Sequence, residues 1–231
     1  MNIYAIGDLH LSGQSPKPMD IFGDQWADHW PRIREIWQLT VSEDDVVLIP
    51  GDISWAMHLI DARCDLMAIG ELPGHKIIMR GNHDYWWGSL SQVQSALPPR
   101  MHALQNNSFV FGDYVIGGTR GWLCPGNHYF SLDSDQKIYL REAGRLELSL
   151  SHARRQAPNA RLIGMIHYPP TDQSGTPTLF TDIFEKYGAE TVVYGHLHAG
   201  SIRSALNGTL RGVHYKLVSC DAIGFQPVKI V

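Results

Sequence analysis

KIIMRGNHD, residues 76–84, runs from a strand-like apolar stretch straight into Asn82, His83 and Asp84, and two large rings, Tyr85 and Trp86, follow. Turns favour Asn and Asp, but a turn has no use for the histidine. The same order of residue types recurs along the chain. NIYAIG (2–7) is followed by Asp8 and His10, and VVLIP (46–50) by Gly51 and Asp52. RLIGMI (161–166) is followed by His167, and TVVYG (191–195) by His196 and His198. Short apolar runs that stop at glycine or a polar cluster read as buried strands.

Helical spacing fills the intervals. Trp26, Trp30, Ile33 and Trp37 step by four, three and four, and Pro31 predicts a helix start near that residue. Leu59, Ala62, Leu66 and Ile69 repeat the pattern. So do Tyr139, Ala143, Leu146, Leu150 and Ala153, with arginines and glutamates assigned to the opposite face. In TPTLFTDIFEKYG (176–188), Thr176 reads as the cap, Pro177 as the first helical residue and Gly188 as the stop. Alternating strands and helices predict a sheet with helices packed on it. FVFGDYVIGGT (109–119) reads as a hairpin about Gly112-Asp113, and 201–219 as a second about Asn207-Gly208. These strands are expected to build a second sheet. The stretch 120–135, RGWLCPGNHYFSLDSD, has no period and reads as a functional loop. With no repeat or linker, the expectation is one domain over residues 1–231.

Five strands therefore deliver carboxylate, amide oxygen or imidazole at their carboxyl ends, the edge where open α/β sheets bind ligands. Taken singly, each motif is an ordinary turn or cap. Together, if those strands share a sheet, they gather polar groups that would be costly to bury unless cations satisfied them. Asp, Asn and His without a thiolate suit Mn, Fe, Zn, Co or Ni better than Ca²⁺ or Cu(I). Seven or eight such ligands are too many for one ion and suit two.

The bulk composition agrees. A net charge of −4 over 231 residues excludes a strongly basic nucleic-acid surface and makes nucleic acid an improbable partner beyond nucleotides. Three scattered cysteines, Cys64, Cys124 and Cys220, speak against a disulfide scaffold or a thiolate zinc site. The chain opens on a strand rather than a leader and has no apolar run long enough to span a bilayer, so a cytoplasmic protein without membrane partners is expected.

In order, GDLH (7–10), GDIS (51–54), GNHD (81–84), IHYPP (166–170) and GHLH (195–198) resemble the motifs of the calcineurin-like metallophosphoesterases, and the resemblance spans residues 1 to about 200. It implies an α/β fold of two packed mixed β-sheets flanked by helices, a four-layer α/β/β/α sandwich. It implies that Asp8, His10 and His198 hold one metal, that Asn82, His167 and His196 hold the other, and that Asp52 bridges them together with a water or hydroxide. It places His83 over the reacting phosphate as proton donor or charge stabiliser, with Asp84 expected to fix its tautomer. The implied activity is hydrolysis of phosphomonoesters or phosphodiesters of small molecules by metal-activated hydroxide. The alternatives are a non-catalytic metal-binding scaffold of the same fold, or a nuclease or nucleotide phosphodiesterase.

Around the motifs lies an aromatic rim of Trp55, Tyr85, Trp86, Trp87, Tyr168 and, in the loop, Trp122. Any one of these rings is more often core than site. As a set they suggest a pocket for a flat or apolar leaving group, with Arg120, and less so Arg80, for phosphate. His58, His75 and His128 read as structural or rim residues.

Overall fold

The computed structural model describes residues 1–13 and 16–231. Among them the order is β1 (Ile3–Ala5), α1 (His29–Thr40), β2 (Val46–Ile49), α2 (Leu59–Gly70), β3 (His75–Ile78), α3 (Leu90–Ala96), β4 (Met101–Ala103), β5 (Ser108–Phe111), β6 (Tyr114–Thr119), α4 (Gln136–Gln156), β7 (Arg161–Ile166), α5 (Leu179–Lys186), β8 (Ala189–Tyr194), β9 (Gly208–Leu210), β10 (Val213–Leu217) and β11 (Val228–Lys229). The chain divides into two compact units, Met1–Ala103 with Val218–Val231, and Leu104–Leu217.

The first unit holds a sheet in the order β11-β1-β2-β3-β4. The pairs from β1 to β4 are parallel, and β11 closes the edge antiparallel to β1. Ile33 and Trp37 of α1 and Ala62, Leu66 and Ile69 of α2 are buried, as their spacing requires. They join Val47, Ile49 and Ile78 of the sheet in one core. The first of these helices starts at His29, two residues before Pro31, and Trp26 lies in a preceding 3₁₀ turn. Pro31 fits because the first helical turn has no intrahelical acceptor for its N–H groups. Lys76 is buried within β3 and donates to the carbonyls of Gly70 and Leu72 at the end of α2.

The second unit holds the sheet β5-β6-β7-β8-β10-β9. Its four central strands are parallel and its two edges antiparallel. The β5–β6 hairpin turns at Gly112-Asp113 as expected, with Phe111 opposite Tyr114. Helix α4 lies on β6, where Ser149 Oγ accepts from the N–H of Gly118 at 2.8 Å. A Cβ on Gly118 would collide with the carbonyl of Met165, so this strand position admits only glycine.

Three local expectations are corrected. The β9–β10 turn falls at Arg211-Gly212, both with positive φ (47° and 82°), and residues 199–204 form a 3₁₀ turn rather than a strand. Asn207 instead uses its side-chain oxygen to accept from the N–H of Leu217. Helix α5 is capped by Thr178, not Thr176: Thr178 Oγ1 accepts from Phe180 N, and Thr181 Oγ1 accepts from Thr178 N. This reciprocal pair satisfies two orphan donors, which Thr176 is too far upstream to do. Finally, the five motif-bearing strands do not share one sheet. β1, β2 and β3 lie in the first, and β7 and β8 in the second. Two mixed sheets with flanking helices are the fold that the motif order implied.

Candidate metal centre

In the first unit, three loops leave the adjacent parallel strands β1, β2 and β3 at the same edge. The first two are laced together by backbone bonds: Asp8 N donates to Gly51 O at 3.0 Å, His10 N to Asp52 O at 2.9 Å and Leu11 N to Ile53 O at 2.9 Å. This pairing holds Asp8, His10 and Asp52 at φ of 57°, 48° and 51°. The left-handed region costs a non-glycine residue about 1–2 kcal/mol, and such strain gathers where side-chain direction matters for function.

All three side chains are buried, at 0, 4 and 2% exposure. Ligand atoms of Asp8 and His10 lie within 4.8 Å of each other, as do those of Asp8 and Asp52. His10 Nε2 is 3.8 Å from Asp52 Oδ2. The other oxygen, Asp52 Oδ1, accepts from the N–H of His83 at 2.8 Å, which ties the third loop to the second. A Cβ on Gly81 would strike the backbone N and the carboxylate of Asp52, so glycine is needed here for close approach.

Two buried carboxylates and an imidazole gathered this closely form a donor set that a cation would satisfy. The donor set, hard oxygen with borderline nitrogen, fits a divalent transition metal. Asn82 lies between Gly81 and His83, whose N–H groups are fixed on Asp84 and Asp52.

Asp84 departs from its expected role. Its carboxylate accepts from the backbone N–H groups of Gly81 (2.7 Å), Ile53 (2.9 Å) and Ser54 (3.1 Å), and from the indole N–H of Trp86 (3.0 Å). Four donors occupy it, and no bond to the His83 ring is among them. It clamps the β2 and β3 loops together instead. Burial, and then the neighbouring charge of Asp52, push its pKa up to about 6 against the pull of those N–H groups.

The rim residues separate. Trp86 and Trp87 are core, 3 and 4% exposed, so Trp86 supports Asp84 from inside rather than facing a substrate. Tyr85 is exposed. Trp55 lies against both His10 and His83, and Lys17 Nζ stands 5.0 Å from the centre of its indole.

In the second unit, β7 and β8 are parallel neighbours, and their ends bring His167 and His196 together with ring centres 5.1 Å apart. The carbonyl of His167 accepts from Gly195 N at 3.1 Å. His196 has φ of 76°, the same strained region as the donors of the first unit. His198 follows two residues later and leads into the 3₁₀ turn. Tyr168 is buried with its ring 4.3 Å from that of His196 and 5.2 Å from that of Trp122. Arg120 places its guanidinium 4.8 Å from the Trp122 ring centre.

Glu142 and Lys17 escaped the sequence reading. The helical spacing assigns the glutamates of α4 to its solvated face, yet Glu142 is fully buried. The signal was present: it lies three residues after Tyr139 and four before Leu146, on the apolar stripe itself.

Comparison with known proteins agrees with this geometry. Residues 1–200 match the family described as calcineurin-like phosphoesterase. A stretch of 88 residues is 38% identical to the Gene 66 protein of Mycobacterium phage D29, covering 36% of this chain and 40% of that relative. The chain thus matches well under two thirds of that relative's length. Among solved structures, a protein of unknown function from Aquifex aeolicus is 13% identical with a TM-score of 0.54, covering 99% of this chain and 95% of that one. Phosphopantetheinyl hydrolase from Mycobacterium tuberculosis is 15% identical with a TM-score of 0.55, covering 97 and 91%. At these identities the likeness is one of fold.

Proposed function

Because the chain belongs to the calcineurin-like phosphoesterase family, we propose that it is a phosphoesterase with two metal ions that hydrolyses phosphomonoesters or phosphodiesters of small molecules. The observation that carries this reading is the trio Asp8, His10 and Asp52, buried together in left-handed backbone at the ends of adjacent strands. In this proposal Asp8, His10 and His198 would hold one ion and Asn82, His167 and His196 the other, with Asp52 serving both. When bound, the ions would neutralise phosphoryl charge and lower the pKa of bound water towards ~7.

The chain's own groups do the rest. Asp84 fixes the turn that presents Asn82 and His83. The His83 backbone N–H orients Asp52, while its ring, braced by Trp55, protonates the departing alkoxide or stabilises its charge. Three free thiols, without a disulfide among the described residues, support a reducing compartment. No helix among the described residues is long and apolar enough to cross a membrane.

The test is turnover of p-nitrophenyl phosphate and bis-p-nitrophenyl phosphate by protein reconstituted with Mn²⁺. Hydrolysis of at least one, abolished by chelation and restored by metal, supports the proposal. Fully metallated protein inert to both, and to a broad phosphoester panel, contradicts it.

A further inference from the structure

The carboxylate of Glu142, 1% exposed, faces three guanidinium groups. Its Oε1 lies 2.6 Å from Arg145 Nη1, 3.7 Å from Arg141 Nε and 3.8 Å from Arg120 Nη2. Its Oε2 accepts from Thr119 Oγ1 at 2.8 Å. Three guanidinium groups that share one oxygen are held no more than about 8 Å apart and repel one another. Beside Trp122, Asp135 accepts from its indole N–H at 2.9 Å and from Ser131 N at 2.8 Å. Three arginines thus gather on one buried glutamate, in a chain whose total charge is −4.

This cluster begins beside the candidate ligands. The carbonyl of Arg120 accepts from the N–H groups of His167 (3.1 Å) and Tyr168 (3.0 Å). A row of rings, His196, Tyr168 and Trp122, then leads to the Arg120 guanidinium. Trp122 is thus engaged by Arg120 and Tyr168, which leaves charge rather than a bare aromatic face as the recognition feature. Arg141 and Arg145 remain 52 and 36% exposed, open to a ligand from solvent.

We propose that Arg120, Arg141 and Arg145, organised by Glu142, bind a second anionic group of the substrate. The substrate class is then a phosphoester that carries another phosphate or a carboxylate away from the scissile bond. This rests on the phosphoesterase reading above. Planar guanidinium groups suit such oxyanions, and the buried glutamate fixes their directions before the ligand arrives.

Two measurements on the full chain test it. In the first, inorganic phosphate is titrated calorimetrically into metal-free protein. Saturable, salt-sensitive binding is expected, weakened at least about 5-fold by Arg120→Gln and by Arg145→Gln, and kept within about 3-fold by Arg145→Lys. No binding, or equal binding by all four proteins, overturns the proposal. In the second, phosphate release by metal-loaded enzyme is compared between propyl phosphate and bisphosphates of linear alkanediols of increasing length. A preference of about 10-fold or more at one length is expected, lost in Arg145→Gln through KM with kcat little changed. A flat series overturns the substrate class. If no ester is cleaved while phosphate binding responds to the variants, the phosphoesterase reading fails and the anion site stands. If esters are cleaved without preference or binding, the anion site alone fails.

Discussion

The indole of Trp55 lies 4.8 Å from the imidazole of His10, with 22° between their planes, and 4.6 Å from that of His83. One ring therefore braces a proposed metal ligand and the proposed proton donor. Its own N–H faces Met19 Sδ at 3.3 Å, which limits its rotation. Groups that orient ligands from behind typically contribute 10–100-fold to metal affinity. Trp55→Ala is expected to weaken Mn²⁺ binding about 10-fold, with Trp55→Phe recovering most of the loss. Calorimetric titration of the metal checks this, and an unchanged affinity in the alanine variant would show that the stacking does not orient His10.

His83 is separable from metal binding, because its contact with Asp52 is made by backbone N–H and not by the ring. His83→Asn is expected to retain full metal content while turnover falls ~100-fold or more. Equal turnover would remove the ring from the chemistry.

Asp52 holds its side chain in place from a backbone at φ of 51°. Glycine accepts that conformation freely and alanine does not. Metal-free Asp52→Gly is therefore expected to be more stable than Asp52→Ala by about 1 kcal/mol in urea unfolding, although both lose metal. The reverse order would mean that the left-handed turn is not imposed by the surrounding backbone bonds.

Lys76 gives a pH signature unrelated to the candidate site. Burial, with Arg100 adding to it and Glu43 opposing, pushes its pKa from 10.5 down to about 8. Between those values the unfolded chain holds a proton that the folded chain has released, so stability rises with pH. Relative to Lys76→Met, the native chain is expected to gain on the order of 2 kcal/mol as pH goes from 8 to 10.5. Parallel stability curves for the two proteins would show that the amine finds enough solvent to keep its ordinary affinity for protons.

Strands β1, β2, β3, β7 and β8 are legible because each announces itself by an apolar run and a polar stop, whereas β4 (MHA) and β11 (VK) are too short to show one. The donors Asp8, Asp52 and His167 could be read for the same reason: strand ends are marked locally. Which strands pair was not legible. Runs such as RLIGMI and VVLIP look alike when both faces are covered, and only long-range pairing places them in different sheets. The cap of α5 was misplaced because Thr176-Pro177 imitates a helix start, while the bond between Thr178 and Thr181 decides it. Asp84 was assigned to His83 by adjacency, whereas three backbone N–H groups and the Trp86 indole were better placed to claim it. Lys76 and Glu142 reversed the usual exposure of their residue types, each because acceptors or donors met it inside the fold.

Metal stoichiometry tests most directly whether the strand-end donors hold a pair of cations. After reconstitution with excess Mn²⁺ and desalting, elemental analysis is expected to find close to two ions per native chain and fewer than one in Asp52→Asn. A native chain that retains no metal, or an Asp52→Asn variant that retains as much as the native chain, would contradict it.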